Sequence, residues 1–446
     1  MLRPYQEEAS EFLLDNKGAA LFLSPGLGKT LITLQTLSRL RLRGLGRTLV
    51  IAPIRVIYNV WPQELKKWDF NMTCSILHGA KKTEALKGSA DIHLINPEGL
   101  KWLFNQELPE YDVLVVDESS MFKNPSSKRF KMMKKELKRF KRRYILTGTP
   151  TPRSLQDLWS QVYILDKGER LGQYITHYRE AYFYPIRRGE YFDWGLIPGM
   201  DKIIHAKIAP IAYRIDEADH IDLPELLFND IEVELPKAIQ KFYKGIEKDL
   251  WAELDGKDHF ADTAAGAYLK CCQVASGAMY TDEGVQVIHN EKVEALKELV
   301  GELNGKPLLV AYRFKHELDR LREVFPEARA IHGGSTQAED TETILQWNTG
   351  KCVLLLAQAQ TISHGLNLQE GKCADVVWFS LTDDFEVYEQ LYRRIYRSGN
   401  KANKVRVHHI VARNTVDRAI QKRLRAKNDR QVSLFEALKE YRNDRD

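Results

Sequence analysis

The chain has 446 residues, 43% of them hydrophobic, enough for about two to four domain-sized units with packed cores. No apolar run approaches the roughly 18 to 20 residues that span a bilayer, and Met1-Leu-Arg-Pro-Tyr5 lacks an apolar signal stretch, so the expectation is a cytoplasmic protein. The five cysteines (Cys74, Cys271, Cys272, Cys352, Cys373) form no Cys-x-x-Cys pair, which argues against a zinc knuckle or a disulfide framework, and the net charge of +5 is modest.

Apolar runs at 19–23, 48–52, 91–95, 113–116 and 144–146 predict buried strands, separated by helix-period stretches such as 31–42 and 56–68. This is the pattern of a parallel sheet with crossover helices. From about 155 to 291 the rhythm changes to long helical patterns, an aromatic-rich stretch at 174–194 and few strand signals. Runs at 308–312, 329–331, 352–356, 376–379 and 405–411 then restore the alternation. The expected fold class is α/β, with two parallel-sheet lobes and an intervening, mostly helical insertion. The domain boundaries expected are 1–163, 164–290 and 291–446. No internal repeat of a familiar solenoid period and no low-complexity tract is present.

Charge is clustered. Residues 123–143 hold eleven Lys/Arg against Glu136 alone, and 393–430 hold thirteen against Asp417 and Asp429. Each cluster either attracts a polyanion, with salt-sensitive binding, or forms a solvated helix face.

The chemistry starts at Ser24-Pro25-Gly26-Leu27-Gly28-Lys29-Thr30, between a predicted strand and a predicted helix whose amino end would face a nucleotide's phosphates. Gly26 and Gly28 let the backbone approach closely, Lys29 would neutralise the β and γ phosphates, and the Thr30 hydroxyl would carry Mg²⁺. Leu23 stands where the first glycine of a full Gly-x-x-x-x-Gly-Lys-Thr pattern would be. Downstream, the buried run 112–116 ends in Asp117-Glu118-Ser119-Ser120, a pair of carboxylates at a strand end. Asp117 could hold Mg²⁺, and Glu118 could orient and polarise an attacking water. Near the other end, Gln390 to Gly399 carries Arg394 and Arg397 one helical turn apart. They could reach phosphates from another domain, or they could make surface ion pairs on a basic helix.

Taken in order along nearly the whole chain, these segments resemble the superfamily 2 nucleic-acid motors, and within them the Swi/Snf-type remodelling ATPases. Leu2-Arg3-Pro4-Tyr5-Gln6 resembles the adenine-recognising segment, Val50-Ile-Ala-Pro-Ile54 with Trp61 resembles motif Ia, and Asn96-Pro-Glu98 resembles motif Ib. Asp117 to Asn124 resembles the Asp-Glu-Ala-His box with its trailing Lys-Asn, and Leu146-Thr147-Gly148-Thr149-Pro150 resembles motif III. Later, 308–312 resembles motif IV, His332-Gly333-Gly-Ser-Thr336 the loop that follows it, Ser363-His-Gly365-Leu-Asn-Leu368 motif V, and Gln390 to Asn400 motif VI. Within the insertion, Leu223 to Pro236, Cys272-Gln273 and 292–299 are similar to the family's helical insertions and connector.

The resemblance implies two RecA-like lobes with ATP and Mg²⁺ between them. It implies ATP contacts from Arg3, Gln6, Ser24, Pro25, Gly26, Leu27, Gly28, Lys29, Thr30, Gln390, Arg394 and Arg397, and metal contacts from Thr30 and Asp117. Lys29, Asp117, Glu118, Arg394 and Arg397 would be catalytic, and Thr147, Gly148, Thr149 and Gly365 would couple nucleotide state to strand binding. Arg55, Asn96, Lys123, Thr147, His332, Gly333 and Ser363 would lie along DNA, duplex or branched in preference to RNA. Aromatic residues of 174–194 would either stack on bases or pack the insertion.

Three departures stand out: Ser119-Ser120 replaces Ala-His, Gln358 to Ser363 replaces the usual Ser-Thr-Arg-Ala-Gly-Gly run, and Asn400 replaces the last Gln of motif VI. Brevity and the run His364 to Gln369 resemble bacteriophage and prophage members of the group. The function expected is an ATP-driven DNA translocase. A strand-separating DNA or RNA helicase and an ATP-gated binding factor with little turnover are the alternatives.

Overall fold

The computed structural model describes residues 2–148, 150–151, 154–188, 191–215, 223–255, 261–362, 368, 371–397, 400, 402–422 and 424. They fall into two compact units, one built on Met1–Arg187 and Phe192–Ile221, the other on Arg188–Tyr191 and Asp222–Asp429.

The first unit is organised by seven strands: β1 (Gly18–Phe22), β2 (Thr48–Ile51), β3 (Cys74–Ile76), β4 (Ile92–Ile95), β5 (Val113–Asp117), β6 (Arg142–Thr147) and, after the two-stranded pair β7 (Phe183–Arg188) and β8 (Tyr191–Leu196), the short β9 (Ala212–Tyr213). The order across the sheet is β3-β4-β2-β5-β6-β1-β9, and every pairing is parallel. Parallel strands covered on both faces need continuous apolar sequence, and the alternation of side chains divides that sequence between two cores. Ala20 and Phe22, Leu49 and Ile51, and Leu114 and Val116 face one core with Leu158, Trp159 and Val162 of the helix Asp157–Asp166. Ala19 and Leu21, Val50, and Val113 and Val115 face the other, under the helices Pro4–Asp15 and Lys29–Leu42. Those two helices are also tied by Ser10 Oγ to Thr36 Oγ1 at 3.1 Å and by Arg39 to Glu7 and Glu11.

The second unit holds β10 (Glu225–Val233), the hairpin β11 (Ala278–Thr281) and β12 (Gly284–Val287), then β13 (Leu308–Tyr312), β14 (Arg329–Ile331), β15 (Leu354–Gln358), β16 (Asp375–Trp378) and β17 (Lys404–Ala412). Its main sheet, β10-β17-β16-β13-β15-β14, is also wholly parallel. The helix Glu291–Leu303 is locked to the end of this sheet by a buried ion pair, Lys292 Nζ to Asp417 Oδ2 at 2.7 Å, and Lys292 also donates to the Phe379 carbonyl at 3.2 Å. The α/β class with two parallel-sheet lobes is therefore the observed fold. Four of the five cysteines are buried, Cys74 is half-buried, and all five are free thiols.

Two expectations are corrected. The single helix expected over 56–68 is two, Ile54–Asn59 and Trp61–Lys67, because Pro62 lacks an amide hydrogen and is accommodated only in the first turn of a new helix. The middle of the chain is mostly helical but not poor in strands: β9 adds an edge to the first sheet, and β10 runs beside β17 for nine residues. β10 carries Asp230 and Glu232, which meet His409, Arg413 and Arg418, so its polar sequence reflects an edge whose charges are satisfied by the neighbouring strand and the helix after it.

Candidate nucleotide site and nucleic-acid elements

Strand order assembles the first half of the site. β5, β6 and β1 are neighbours and parallel, with Asp117 beside Leu146 and Thr147 beside Phe22. The loops that follow all three strands therefore emerge at one carboxyl edge, where open α/β sheets bind ligands.

After β1 the loop turns through Gly26 (φ 97°) and Gly28 (φ 80°), both in the left-handed region that side chains resist. A Cβ on Gly28 would also lie 2.6 Å from Gln6 Nε2. Gln6, on the first turn of Pro4–Asp15, is buried against this loop: its Nε2 donates to the Leu27 carbonyl at 3.3 Å, and its Oε1 accepts from the Arg3 amide at 3.0 Å. Tyr5 donates its hydroxyl to the same Leu27 carbonyl at 3.2 Å. The segment 2–6 is thus bound to the glycine-containing loop. Lys29 is buried, its Nζ donating to the Leu23 carbonyl at 2.7 Å, so its ammonium lies inside the curve of the loop. Ser24, Pro25, Gly26, Gly28 and Thr30 are half-buried around it, and Leu27 is buried beneath.

After β5, Asp117 is buried, with Oδ2 accepting from Trp61 Nε1 at 3.0 Å and Oδ1 from the Glu118 amide at 3.1 Å. Burial pushes the Asp117 carboxyl up to about 6, the neighbouring charge of Glu118 adds to this, and the Lys29 ammonium and the Trp61 hydrogen bond oppose it. Lys29 and Asp117 therefore influence each other electrostatically across the loop. Glu118 is half-buried with φ 55° and ψ 57°, a left-handed conformation worth roughly 1–3 kcal/mol of strain for a residue other than glycine. Strain of this kind persists where surrounding structure holds a residue in a required orientation. Trp61, which orients Asp117, was visible in the sequence only as part of motif Ia.

After β6, Thr147 is fully buried, and an added Cβ on Gly148 would sit 3.0 Å from Pro25 Cδ and 3.5 Å from the Leu23 carbonyl oxygen. The motif III loop thus rests directly on the phosphate loop. The departure at Ser119 also finds its meaning here. Ser119 Oγ donates to Gln161 Oε1 at 2.7 Å, and Gln161 Nε2 donates to the Pro150 carbonyl at 2.7 Å and to Asp157 O at 2.8 Å. Ser119 and Gln161 are both fully buried. One side chain on the helix Asp157–Asp166 ties the carboxylate box to motif III; Gln161 was not singled out from the sequence, where it lies inside an ordinary apolar helix.

Among the proposed strand contacts of this unit, Arg55 and Lys123 are half-buried, while Asn96 is buried and donates to Glu98 Oε2 at 2.8 Å within its own loop. Arg3 is exposed. Thr149 lies outside the described residues.

In the second unit the helix Phe385–Tyr392 is capped by Asp384, whose carboxylate accepts from the amides of Glu386 and Val387 at 3.0 and 3.3 Å. Gln390 is buried and donates to Glu386 Oε1 at 3.3 Å. Arg394 (buried) and Arg397 (half-buried) follow the helix in a series of turns, with Arg394 N bonding Leu391 O and Tyr396 N bonding Tyr392 O; the expectation of one continuous helix through both arginines is corrected accordingly. Asn400, in place of glutamine, closes these turns by donating to the carbonyls of Cys373 at 2.8 Å and Ile395 at 2.9 Å.

His332 and Gly333 lie in the loop after β14, and the Gly333 amide donates to Gln358 Oε1 at 2.9 Å. Thr361 Oγ1 donates to the same oxygen at 3.1 Å, so Gln358 joins the loops that follow β14 and β15. This gives a structural use to the segment that departs from the motif V pattern. Ser363 and Gly365 lie outside the described residues.

Residues 5–264 match the SNF2-related domain, and residues 291–399 match the helicase conserved C-terminal domain. Putative protein p41 of Acyrthosiphon pisum secondary endosymbiont phage 1 is 34% identical over 98% of each chain. The ISWI chromatin-remodeling complex ATPase ISW1 of Saccharomyces cerevisiae is 26% identical over 95% of this chain and 39% of its own length. The putative ATP-dependent helicase/translocase YwqA of Bacillus subtilis is 25% identical over 96% of this chain and 48% of its own. The chain thus spans less than half of these two cellular relatives. The Sulfolobus solfataricus SWI2/SNF2 ATPase core in complex with dsDNA aligns over 95% of this chain and 90% of its own, with a TM-score of 0.47 and 22% identity. With an SNF2-related domain over more than half its length and a full-length relative above 30% identity, the chain belongs to the SNF2 family of superfamily 2 ATPases.

Proposed function

We propose that this chain is an ATP-driven DNA translocase. The observation that carries the reading is the convergence, at one sheet edge, of the phosphate loop, the Asp117-Glu118 pair and the motif III loop. In this reading Lys29 neutralises the β and γ phosphates, and Glu118 accepts the proton of the attacking water. Mg²⁺, when bound, screens phosphate charge and is held by Thr30 and Asp117. Among the described residues no three His, Cys, Asp or Glu side chains gather to hold a metal alone, so the remaining ligands would be phosphate oxygens and water. The buried Asp117 fits this role, since burial and the neighbouring Glu118 charge disfavour its carboxylate and a divalent cation would supply the missing counter-charge. Arg394 and Arg397 stabilise charge on the transferred phosphoryl group, an effect of roughly 10³–10⁵ in rate for such residues. Arg55, Asn96, Lys123, His332, Gly333 and Ser363 are the proposed contacts to the DNA backbone. The similarity in length to the phage protein p41 supports placing the chain among short phage-type members.

The test compares ATP hydrolysis with no nucleic acid, with duplex, single-stranded and forked DNA, and with RNA, alongside a tailed-duplex unwinding assay. Duplex-stimulated hydrolysis with displacement of a bound third strand, and without unwinding, is the expected result. Unwinding would replace translocation with strand separation, and hydrolysis indifferent to every nucleic acid would refute the motor.

A further inference from the structure

Nine of the eleven cations of the basic cluster at 123–143 fall into two populations, Lys123 and Arg129 apart. Arg142 donates to the carbonyls of Leu13, Leu14 and Asn16, Arg143 to those of Leu137, Phe140 and Leu165, Lys141 pairs with Asp112, and Arg139 pairs with Glu136. Lys134 lies 4.4 Å from the Tyr163 ring centroid. These five serve the fold. Lys128, Lys131, Lys135 and Lys138 are different: all four are exposed, and none is in an ion pair among the described residues.

Their spacing places them along one face of the helix Lys128–Glu136 and the 3-10 turn Leu137–Arg139, opposite the buried Phe130, Met133 and Leu137. Successive lysines are therefore helical neighbours of like charge, a destabilising arrangement. The first turn carries Lys128 and Arg129 and no acid, which opposes the macrodipole, while Lys134 and Lys135 in the last turn favour it. A solvated helix face ordinarily mixes signs and gains from it. On this face the like-charge neighbours and the amino-terminal Lys128 work against the helix.

We propose that the Lys128, Lys131, Lys135 and Lys138 stripe is a docking surface for the phosphate backbone of duplex DNA, additional to the strand contacts of the motor motifs; the proposal rests on the DNA-motor reading. The stripe runs roughly 15 Å at about 1.5 Å of rise per residue, one charge per about 5 Å. A DNA strand carries one phosphate per roughly 3.4 Å of axis, so a straight row of this density fits a rod-like polyanion. A membrane surface would call for apolar residues beside the lysines, and the large apolar residues of this helix face the core instead.

The test is the variant K128Q/K131Q/K135Q/K138Q, measured for duplex DNA affinity across a salt series. If each lysine meets a phosphate, the slope of log affinity against log salt becomes shallower by about 3 to 4, and affinity at moderate salt falls by roughly an order of magnitude or more. Hydrolysis without DNA and turnover at saturating DNA stay at parental values, while the DNA concentration for half-maximal stimulation rises by a similar factor. Thermal stability is unchanged or higher, since like-charge repulsion has been removed. A parental slope and affinity in the variant overturn the stripe while leaving the motor intact. A parental protein that neither binds nor responds to DNA overturns the motor reading itself. Loss of binding to duplex RNA or to anionic vesicles, with DNA binding unaltered, overturns the assignment of DNA as the partner.

Discussion

Gln161 offers a quantitative test of how the carboxylate box is tied to motif III. Replacing it with leucine leaves two fully buried acceptor or donor groups, Pro150 O and Ser119 Oγ, without the partner they have at 2.7 Å. Each orphaned group costs roughly 1–3 kcal/mol, so Gln161→Leu should destabilise the first unit by about 2–6 kcal/mol. Ser119→Ala removes a hydroxyl and strands only Gln161 Oε1, at a cost of about 1–3 kcal/mol. Once leucine occupies 161, the hydroxyl at 119 has nothing to bond, and its removal should cost little. The double variant should therefore be more stable than the sum of the singles predicts, with a coupling energy of about 1–3 kcal/mol, inside the roughly 0.5–3 kcal/mol range of contacting pairs. Urea unfolding of the four proteins at a common m value measures this. DNA-stimulated turnover gives a second readout: the motif III loop, which rests on Pro25, loses its brace, and displacement of a catalytic loop by about 1 Å can cost on the order of 10²-fold. Turnover should fall more than nucleotide affinity. Energies additive within about 0.3 kcal/mol, with parental turnover in Gln161→Leu, would refute the relay.

Four further outcomes are expected. Glu118→Gln should keep ATP and DNA binding while hydrolysis collapses, because the amide preserves shape but is no base; equilibrium binding alongside phosphate release checks this, and high residual turnover would assign Glu118 another role. Arg397→Lys should bind nucleotide within several-fold of the parent yet hydrolyse far more slowly in a single turnover at saturating ATP and DNA, since an ammonium lacks the planar fork of a guanidinium; a parental rate would make Arg397 structural. Asp417→Asn strands the buried Lys292 ammonium and should cost the second unit roughly 3–5 kcal/mol in chemical denaturation, whereas replacing both partners with apolar residues should cost much less. At Asp375, burial raises the carboxyl's affinity for a proton, but the paired Arg406 guanidinium and His408 prevail and hold it below the ordinary carboxylate range. Its stabilisation is therefore present above that range and lost as pH falls through the folded value, so the stability gap between parent and Asp375→Asn should be widest near neutral pH and close in acid.

Legibility in the sequence followed burial. β13 falls at the residues expected, and β1, β2, β4, β5 and β6 within a few residues, because parallel strands covered on both faces must be almost wholly apolar whatever their partners; β14, at the sheet edge with Arg329 exposed, also falls at the residues expected, marked by its short Arg-Ala-Ile run. The phosphate loop and the Asp117-Glu118 pair were legible for a related reason: close backbone approach requires glycine, and phosphate and metal require a cation, a hydroxyl and a carboxylate in set places. The edge strand β10 was not. β10 is polar over much of its length and becomes a strand only because β17 supplies a ladder and Arg413 and Arg418 supply counter-charges about 180 residues later.

By itself, then, the sequence determined the local chemistry: apolar strands, phosphate-binding turn, carboxylate pair and paired arginines, each dictated by neighbours a few residues away. Only the tertiary structure decided which of these meet. The order β5-β6-β1 brings three loops to one edge, Gln161 turns the substituted Ser119 into a link to Pro150, the arginines of motif VI fall beyond the helix end, and Lys128, Lys131, Lys135 and Lys138 face solvent outside any ion pair among the described residues. The physical reason is that strand adjacency, buried hydrogen-bond partners and the pairing of charges depend on residues distant in the chain, and their energies exist only once the fold has brought those residues within a few ångströms.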